Sequence, residues 1–428
     1  MQAEHVVEEK LKEKNKLVHI LLIVVCTLAF LVVQGSKNMY VAEMVYLAEI
    51  FNESDVNISL TTTLYFITYA AVQVLLFFIM KKINVRLYLI ATLCLSSVLT
   101  FLVGFASTVA HFWVIYSING ILQAGTYAGS IALFAKYLPK RTLSFANKVF
   151  SFGAALAGVI SYGLPALFIS RGLWHAPFKI MGVVMLAVVV ALFFVTAKLV
   201  RGEVAEKGCA EADNSTNNEK EKTEEERPFI NLSTKKNTVI FYAVMLTMSL
   251  LANCVYYAMY NWTTKLLFDV FGLSHEYSML FTMVIPIILA IGPMITISLC
   301  DKFKDFVGVA SVIRILLLPL ILFLVFLYDF NMILSFVVVL LCLLMNNGSM
   351  IIFTTVTSLK MRKSIDSGGY VAVMNAIASI GAGVAPTIMA NFINNLGWST
   401  AYLICFIVFA VLTALNVVYD IILKKQNA

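Results

Sequence analysis

Twelve runs of about twenty or more mostly apolar residues decide what this chain can fold into. They cover 17–50, 57–80, 86–107, 109–136, 143–170, 175–200, 237–271, 276–299, 305–328, 331–359, 366–394 and 398–423. A helix that crosses a bilayer needs about 20 such residues. In hydrocarbon every backbone N–H and C=O must be satisfied within the protein, which leaves helices or a closed barrel, and runs this long are helical. The composition agrees, with 61% hydrophobic and 13% charged residues. The expected fold is an all-α membrane protein of twelve transmembrane helices. The first and seventh runs exceed what a bilayer requires, so they tilt or protrude.

Charge sets the expected orientation. With both termini inside (N-in/C-in), 27 of the 31 Lys and Arg residues fall on or near the cytoplasmic side, including Lys81, Lys82, Arg86, Lys136, Lys140, Arg141, Lys148, Lys302, Lys304, Lys360, Arg362, Lys363, Lys424 and Lys425. The net charge of +7 thus reflects the positive-inside rule rather than nucleic-acid binding. The mixed-charge tail at 1–16 leads into a run too long for a signal peptide, so no cleavable signal is expected. Six of the seven Cys lie in apolar runs, with Cys209 in a loop, and no CxxC or Cys/His cluster occurs. Neither a disulfide framework nor a metal site is expected, and no cofactor.

Residues 201–236 interrupt the pattern with 16 charged residues of both signs, which reads as a cytoplasmic linker between a 17–200 half and a 237–423 half, with a short tail at 424–428. The halves echo each other. At an offset of 220, Met39-Tyr40 matches Met259-Tyr260, Glu49 matches Asp269, Phe51 matches Phe271 and Ser54 matches Ser274. At 224, Trp174 matches Trp398, and the glycine-rich run 153–158 resembles 379–383. Parallel six-helix repeats are a transporter architecture whose site lies near the midplane between the halves.

Three ionisable side chains read as lying well inside apolar runs: Lys37, Glu43 and Lys265. A charge at the bilayer centre costs about 2.5–3.5 kcal/mol on insertion scales, and such residues mark substrate or ion paths. The seventh run carries Asn253, Tyr257, Asn261 and Lys265 at four-residue spacing, on one helical face. The first offers Gln34, Lys37, Asn38 and Tyr40; the fourth Asn119, Gln123 and Tyr127; the tenth Asn346 and Asn347. Two readings of these polar groups stand: ties between helices, or contacts to a substrate. Tyr40, Tyr65, Tyr69, Tyr127, Tyr256, Tyr257 and Tyr260 suit an aromatic-lined site, although tyrosine is also common in membrane cores.

Lys37 lies two-thirds along its run, too deep for its stem to reach the cytoplasmic surface easily. Its ammonium needs an anion: a substrate carboxylate or phosphate, a structural carboxylate, or a gating contact. Glu43 sits six residues on, roughly 240° around the helix, so the two do not face each other. A carboxyl shielded from water can carry a coupling proton, or pair with Lys265 near the outer rim. Glu49 and Asp269 fall at outer helix ends and suit a gate. Pro286 and Pro386 each remove a helix hydrogen bond and suit bends for a rocking motion. Asp301 belongs to a cytoplasmic loop.

On these residues the chain resembles the major facilitator superfamily, and within it the organophosphate:phosphate antiporters and their anion:cation symporter relatives. Ser36-Lys37-Asn38 stands where that group has Arg-Lys-Asn, Asn261-Trp262-Thr263-Thr264 resembles its Asp-Trp-x-Pro-Thr, and Gly120 through Gln123 to Gly125 resembles its Gly-x-x-Gln-Gly. The group's two phosphate-binding arginines fall at Ser36 and Tyr256, so the phosphate-binding pair is lacking. The superfamily's Gly-x-x-x-Asp-Arg loop is reduced to Phe77 with Lys81-Lys82; in the second half Asp301-Lys302 survives, with Ile297 in the glycine's place. The resemblance implies a central cavity lined by the first, fourth, seventh and tenth helices.

No GxSxG, HExxH or P-loop lysine occurs, and the five His residues are scattered, so an enzyme is not expected. The expected function is secondary active transport of a small organic anion, a carboxylate, by alternating access, with proton coupling or anion exchange. A drug or metabolite efflux pump of the same fold and a transporter-like membrane sensor are the alternatives. The expected setting is a monomer, multi-pass in a bacterial inner membrane.

Overall fold

The computed structural model describes residues 2–80, 82–207, 235–303, 305–361, 365 and 367–427. Lys81, Cys209, Lys304, Arg362, Lys363 and most of the expected 201–236 linker lie outside the described residues, as do the side chains of 1–16.

Described residues form helices throughout, with no strand among them. The first half holds α1 (Gln2–Ile50), α2 (Asp55–Ile79), α3 (Val85–Val103), α4 (Val109–Gln123), α5 (Thr126–Tyr137), α6 (Lys140–Ile169) and α7 (His175–Lys207). The second holds α8 (Lys235–Asp269), α9 (His275–Thr282), α10 (Val284–Leu289), α11 (Ile291–Phe303), α12 (Phe306–Leu327), α13 (Met332–Ile351), a π-helical turn (Ile352–Val356), α14 (Thr357–Lys360) and α15 (Ser367–Asn427).

Among the described residues, ten helices are long and apolar enough to cross a membrane. The sequence count of twelve differs for two reasons. The fourth run is divided at Ala124–Gly125, leaving two pieces of 15 and 12 residues. The last two runs form one continuous assignment, α15, whose only non-helical angles are at Gly397 (φ 80°, ψ 171°). At 1.5 Å per residue, 61 residues would span about 90 Å, three times a bilayer core, so the chain reverses at that glycine. The 275–303 stretch is interrupted at Met283 and Ala290, on either side of Pro286.

The internal repeat is visible in the turns. Asn52 (φ 50°) ends α1 and Gly272 (φ 65°) ends α8, both left-handed and 220 residues apart. Each is followed by a serine that caps the next helix, Ser54 before α2 and Ser274 before α9. Asn84 and Asp305, 221 apart, each cap a helix by accepting from the backbone N–H three residues on.

The halves meet along two repeat-related crossings. A Cβ built on Gly158 of α6 would come within 2.4 Å of the Pro286 Cβ on α10. A Cβ on Gly383 of α15 would come within 2.8 Å of the Phe66 Cβ on α2. Beside the second crossing, the Thr63 hydroxyl donates to the Gly383 carbonyl at 2.6 Å. The two glycine-rich runs therefore serve close packing between the halves.

The far ends of the helices, near residues 50, 55, 265 and 275, are pinned together across the seam. Lys265 Nζ lies 3.3 Å from Asp55 Oδ2, and His275 Nε2 lies 2.9 Å from Glu49 Oε2. At the opposite end, where the chain enters α8, the halves part. Val74, Phe77 and Phe78 of α2 and Tyr242, Tyr370 and Val373 of α8 and α15 line a cleft of about 260 Å³.

Candidate functional site

α1 presents Gln34, Lys37 and Asn38 on one face, at spacings of three and four residues. All three are partly exposed, whereas most of their neighbours on α1 are buried. The Lys37 ammonium sits over the ring of Phe66 on α2, 5.1 Å from its centroid. Phe66 in turn meets Tyr257 of α8 edge-on at 5.6 Å, so Lys37 stands at the seam between the halves. Among the described residues, no carboxylate lies within ion-pair distance of Lys37. The ammonium rests instead on the face of an aromatic ring, an attraction of about 0.5–2 kcal/mol.

Aromatic rings extend the seam on both sides. Tyr65 and Tyr69 of α2 stack at 5.8 Å, as do Tyr256 and Tyr260 of α8 at 5.8 Å with planes 9° apart. Tyr260 also meets Tyr162 of α6 at 6.1 Å, joining the halves a second time. Tyr127 stands apart: it is half exposed and packs against Phe30 and Phe150, one to two helical turns nearer the cleft.

Most of the polar residues singled out by sequence are ties between helices. The Tyr65 hydroxyl donates to Gln123 Oε1 at 2.8 Å; Gln123 Nε2 donates to Ser96, whose hydroxyl donates to Asn119 Oδ1. Tyr40 donates to the Ile58 carbonyl at 2.8 Å. Asn346 donates to the Ala252 carbonyl and Asn347 to the Leu289 carbonyl, both at 3.0 Å. Asn253 bonds back to Ser249. Asn261 is buried with neither side-chain atom partnered. The Trp262 indole N–H donates to the Pro386 carbonyl at 2.8 Å, fastening α8 to α15.

Lys265 is placed differently from Lys37, about two turns nearer the far end of the equivalent helix. It bridges Asp55 at 3.3 Å and Asp269 at 3.0 Å, the first across the seam and the second one turn along α8. At the far end Asp269 is thus held in an ion pair and Glu49 in a hydrogen bond with His275, whereas Asp301 is exposed at the end of α11.

Glu43 does not pair with Lys265. Its side chain is fully buried inside the first half, facing Tyr116 of α4 and Tyr46 of its own helix, and neither oxygen has a partner. The 240° offset from Lys37 is why the two remain apart.

The sequence reading passed over one buried charge. Arg314, grouped by position with the cytoplasmic cations, stands in the middle of α12 with no exposed surface. Its guanidinium lies 4.4 Å from the ring centroid of Phe353, and none of its three nitrogens has a hydrogen-bond partner. Phe353 belongs to the π-helical turn, and its carbonyl accepts from the Tyr370 hydroxyl at the cleft. The signal was present in the sequence: a lone arginine nine residues into an apolar run.

Comparison with known proteins agrees with the architecture. The family model of the Major Facilitator Superfamily matches residues 25–367, about four-fifths of the chain. One curated relative is "Probable sulfoacetate transporter SauU" of Cupriavidus necator, 25% identical over 186 residues, which is 43% of each chain. The aligned stretch thus spans less than half of that relative. A solved bacterial homologue of the human lysosomal transporter Spinster, inward-facing and occupied, superposes with a TM-score of 0.73 at 15% identity, covering 94% of this chain and 96% of that one. A mutant of the nucleoside transporter NupG gives 0.68 at 13% identity, covering 94% and 99%. At such identities the structures speak to the fold alone. The chain belongs to the Major Facilitator Superfamily, and is a multi-pass membrane transporter rather than an enzyme.

Proposed function

We propose that this transporter moves a small organic anion, with a carboxylate or sulfonate head group, by rocking its two halves about the seam at Lys37. The observation that carries the reading is the Lys37 ammonium: mid-helix, partly exposed at the seam, and without an anion among the described residues to neutralise it. Removing such a charge from water is costly unless something compensates it, and a substrate anion does so while being held. The tyrosines of α2 and α8 give the rest of the molecule an aromatic wall. The sulfoacetate relative supports an organic anion as cargo. Sulfoacetate carries both proposed head groups but is a small two-carbon dianion, so the relative supports transport of an organic anion in general and neither the charge nor the size of this chain's substrate.

In this reading the chain has twelve crossings with both ends cytoplasmic, and the far side in this structure is the closed outer gate. Lys265 with Asp55, and His275 with Glu49, hold that gate across the seam, while the cleft at Phe77 and Tyr370 opens inward. The glycine crossings at Gly158 and Gly383 are where the halves pivot. The nearest branch is the anion:cation symporters allied to the organophosphate antiporters, in a bacterial inner membrane and as a monomer. The gradient is spent either through a proton on Glu43 or through exchange for another anion.

The test is thermal stabilisation of purified protein by a panel of carboxylates, sulfonates, organophosphates and lipophilic cations. A ligand that binds the folded state raises its Tm by mass action. Stabilisation of wild type by carboxylates or sulfonates, abolished in Lys37→Ala, is the expected result. Stabilisation by lipophilic cations alone, equal in both proteins, would instead favour an efflux pump.

A further inference from the structure

We infer that the substrate is singly charged and carries a flat apolar body: an aromatic or similarly broad monocarboxylate or monosulfonate rather than a dianion. This rests on the anion reading above and narrows it. The charges at the seam can be counted. Among the described residues, the other membrane-embedded cations that could meet a substrate are committed elsewhere. Lys265 is held by two carboxylates at the far end. Arg314 is enclosed within the second half, against Phe353. The carboxylate that could offset Lys37, Glu43, faces away into the first half. The seam therefore presents one positive charge.

A monoanion seated on Lys37 leaves the site neutral. A dianion leaves one negative charge in a low-dielectric space with only neutral donors, the tyrosine hydroxyls and the Gln34 and Asn38 amides, to meet it, which is the situation buried sites avoid. The aromatic wall sets the shape of the rest of the substrate. Phe66 carries the ammonium on its face and touches Tyr69 and Tyr257 edge-on, at 6.4 and 5.6 Å. Beside them, Tyr256 and Tyr260 stack with nearly parallel planes. Rings set edge-on and in offset stacks accept another flat ring by the same geometry, with its anionic end placed at Lys37. Tyr69, Tyr256 and Tyr257 are the partly exposed members of this wall, and a two-carbon acid would leave them uncovered.

Benzoate and phthalate share a ring and differ by one charge at pH 7.5, and they provide the test. Binding is read as Tm shift against concentration for wild type, Lys37→Gln and Tyr256→Lys, with benzyltrimethylammonium as a cationic control. The expected result is stabilisation of wild type by benzoate at least tenfold more effective than by phthalate, and abolished in Lys37→Gln. Tyr256→Lys, with a second cation on the wall, should gain phthalate binding. Phthalate binding at least as well as benzoate to wild type overturns the single-charge inference while leaving the anion reading intact. Acetate or methanesulfonate binding as well as benzoate overturns the apolar-body part. Stabilisation by benzyltrimethylammonium and by neither anion sinks both the inference and the reading beneath it. Circular dichroism of each variant confirms that an absent response is not a loss of structure.

Discussion

Lys37 and Lys265 lie in the first long helix of each half and are each set deep in an apolar run, yet their surroundings could hardly differ more. Lys265 has two carboxylates within 3.3 Å, one of them across the seam. Lys37 has the face of Phe66 and, among the described residues, no counter-charge. At the 220-residue offset Lys265 corresponds to Val45, about 12 Å outward of Lys37 along the helix, and the repeat puts no acid beside Lys37. In the proposed reading Lys265, where the acids are present, closes the outer gate. Where they are absent, the lysine is left for something the protein does not contain.

The sharpest way to break this comparison is to remove each charge in turn. Lys37→Gln should weaken anion binding roughly 100-fold, about 2–3 kcal/mol, the scale expected when a charge-assisted hydrogen bond is removed from a buried site. Thermal stability without ligand should hold or rise, because an uncompensated charge has been deleted. Lys265→Gln should do the reverse. It strands Asp55 and Asp269 together, so Tm falls by several degrees while affinity measured on the inward-open form stays within about threefold. A cysteine placed at Glu53, exposed at the far-side end of α2, should then react faster with a membrane-impermeant thiol reagent.

The crossings give the next effect. Gly158→Val drives a side chain into Pro286, and this should hold the halves apart, lowering transport about tenfold or more while anion binding persists. Uptake measured at several external pH values distinguishes the two energy sources. If Glu43 carries the proton, Glu43→Gln abolishes concentrative uptake but leaves anion exchange intact; if exchange drives the wild type, the variant matches it. The smallest effect concerns Arg314. Replacing an enclosed, unpaired guanidinium by Met of similar volume should be neutral or stabilising by about 1–4 kcal/mol in chemical denaturation. A large loss of transport in Arg314→Met at unchanged stability would show that the residue serves the mechanism through the π-helical turn it packs on.

Much of this was legible in the sequence, and particular things were missed for particular reasons. Apolar run length is a direct reading of bilayer thickness, so the all-helical, multi-pass character of the chain was legible. The repeat was legible because turns need special residues: Asn52 and Gly272 share a left-handed backbone, which few side chains tolerate. Period alone identified the shared face of Asn253, Tyr257, Asn261 and Lys265, and the direction of Glu43 away from Lys37. It could not say which polar groups were already satisfied. Asn119 and Gln123 look like cavity residues until Ser96 and Tyr65 are seen to occupy them. Partners distant in the chain, such as Asp55 for Lys265 and Pro386 for Trp262, carry no local pattern at all. Arg314 escaped differently: it fell within the count of cytoplasmic-side cations, although its depth in an apolar run was readable.

Lys37 as the anion's counter-charge is the central claim. The most direct measurement is uptake of labelled benzoate into proteoliposomes containing wild type, Lys37→Gln or Lys265→Gln, with binding measured on the same preparations. Lys37→Gln is predicted to lose both uptake and binding, whereas Lys265→Gln keeps binding and loses uptake. Uptake by Lys37→Gln within threefold of wild type would show that the lysine is structural, and would contradict the central claim.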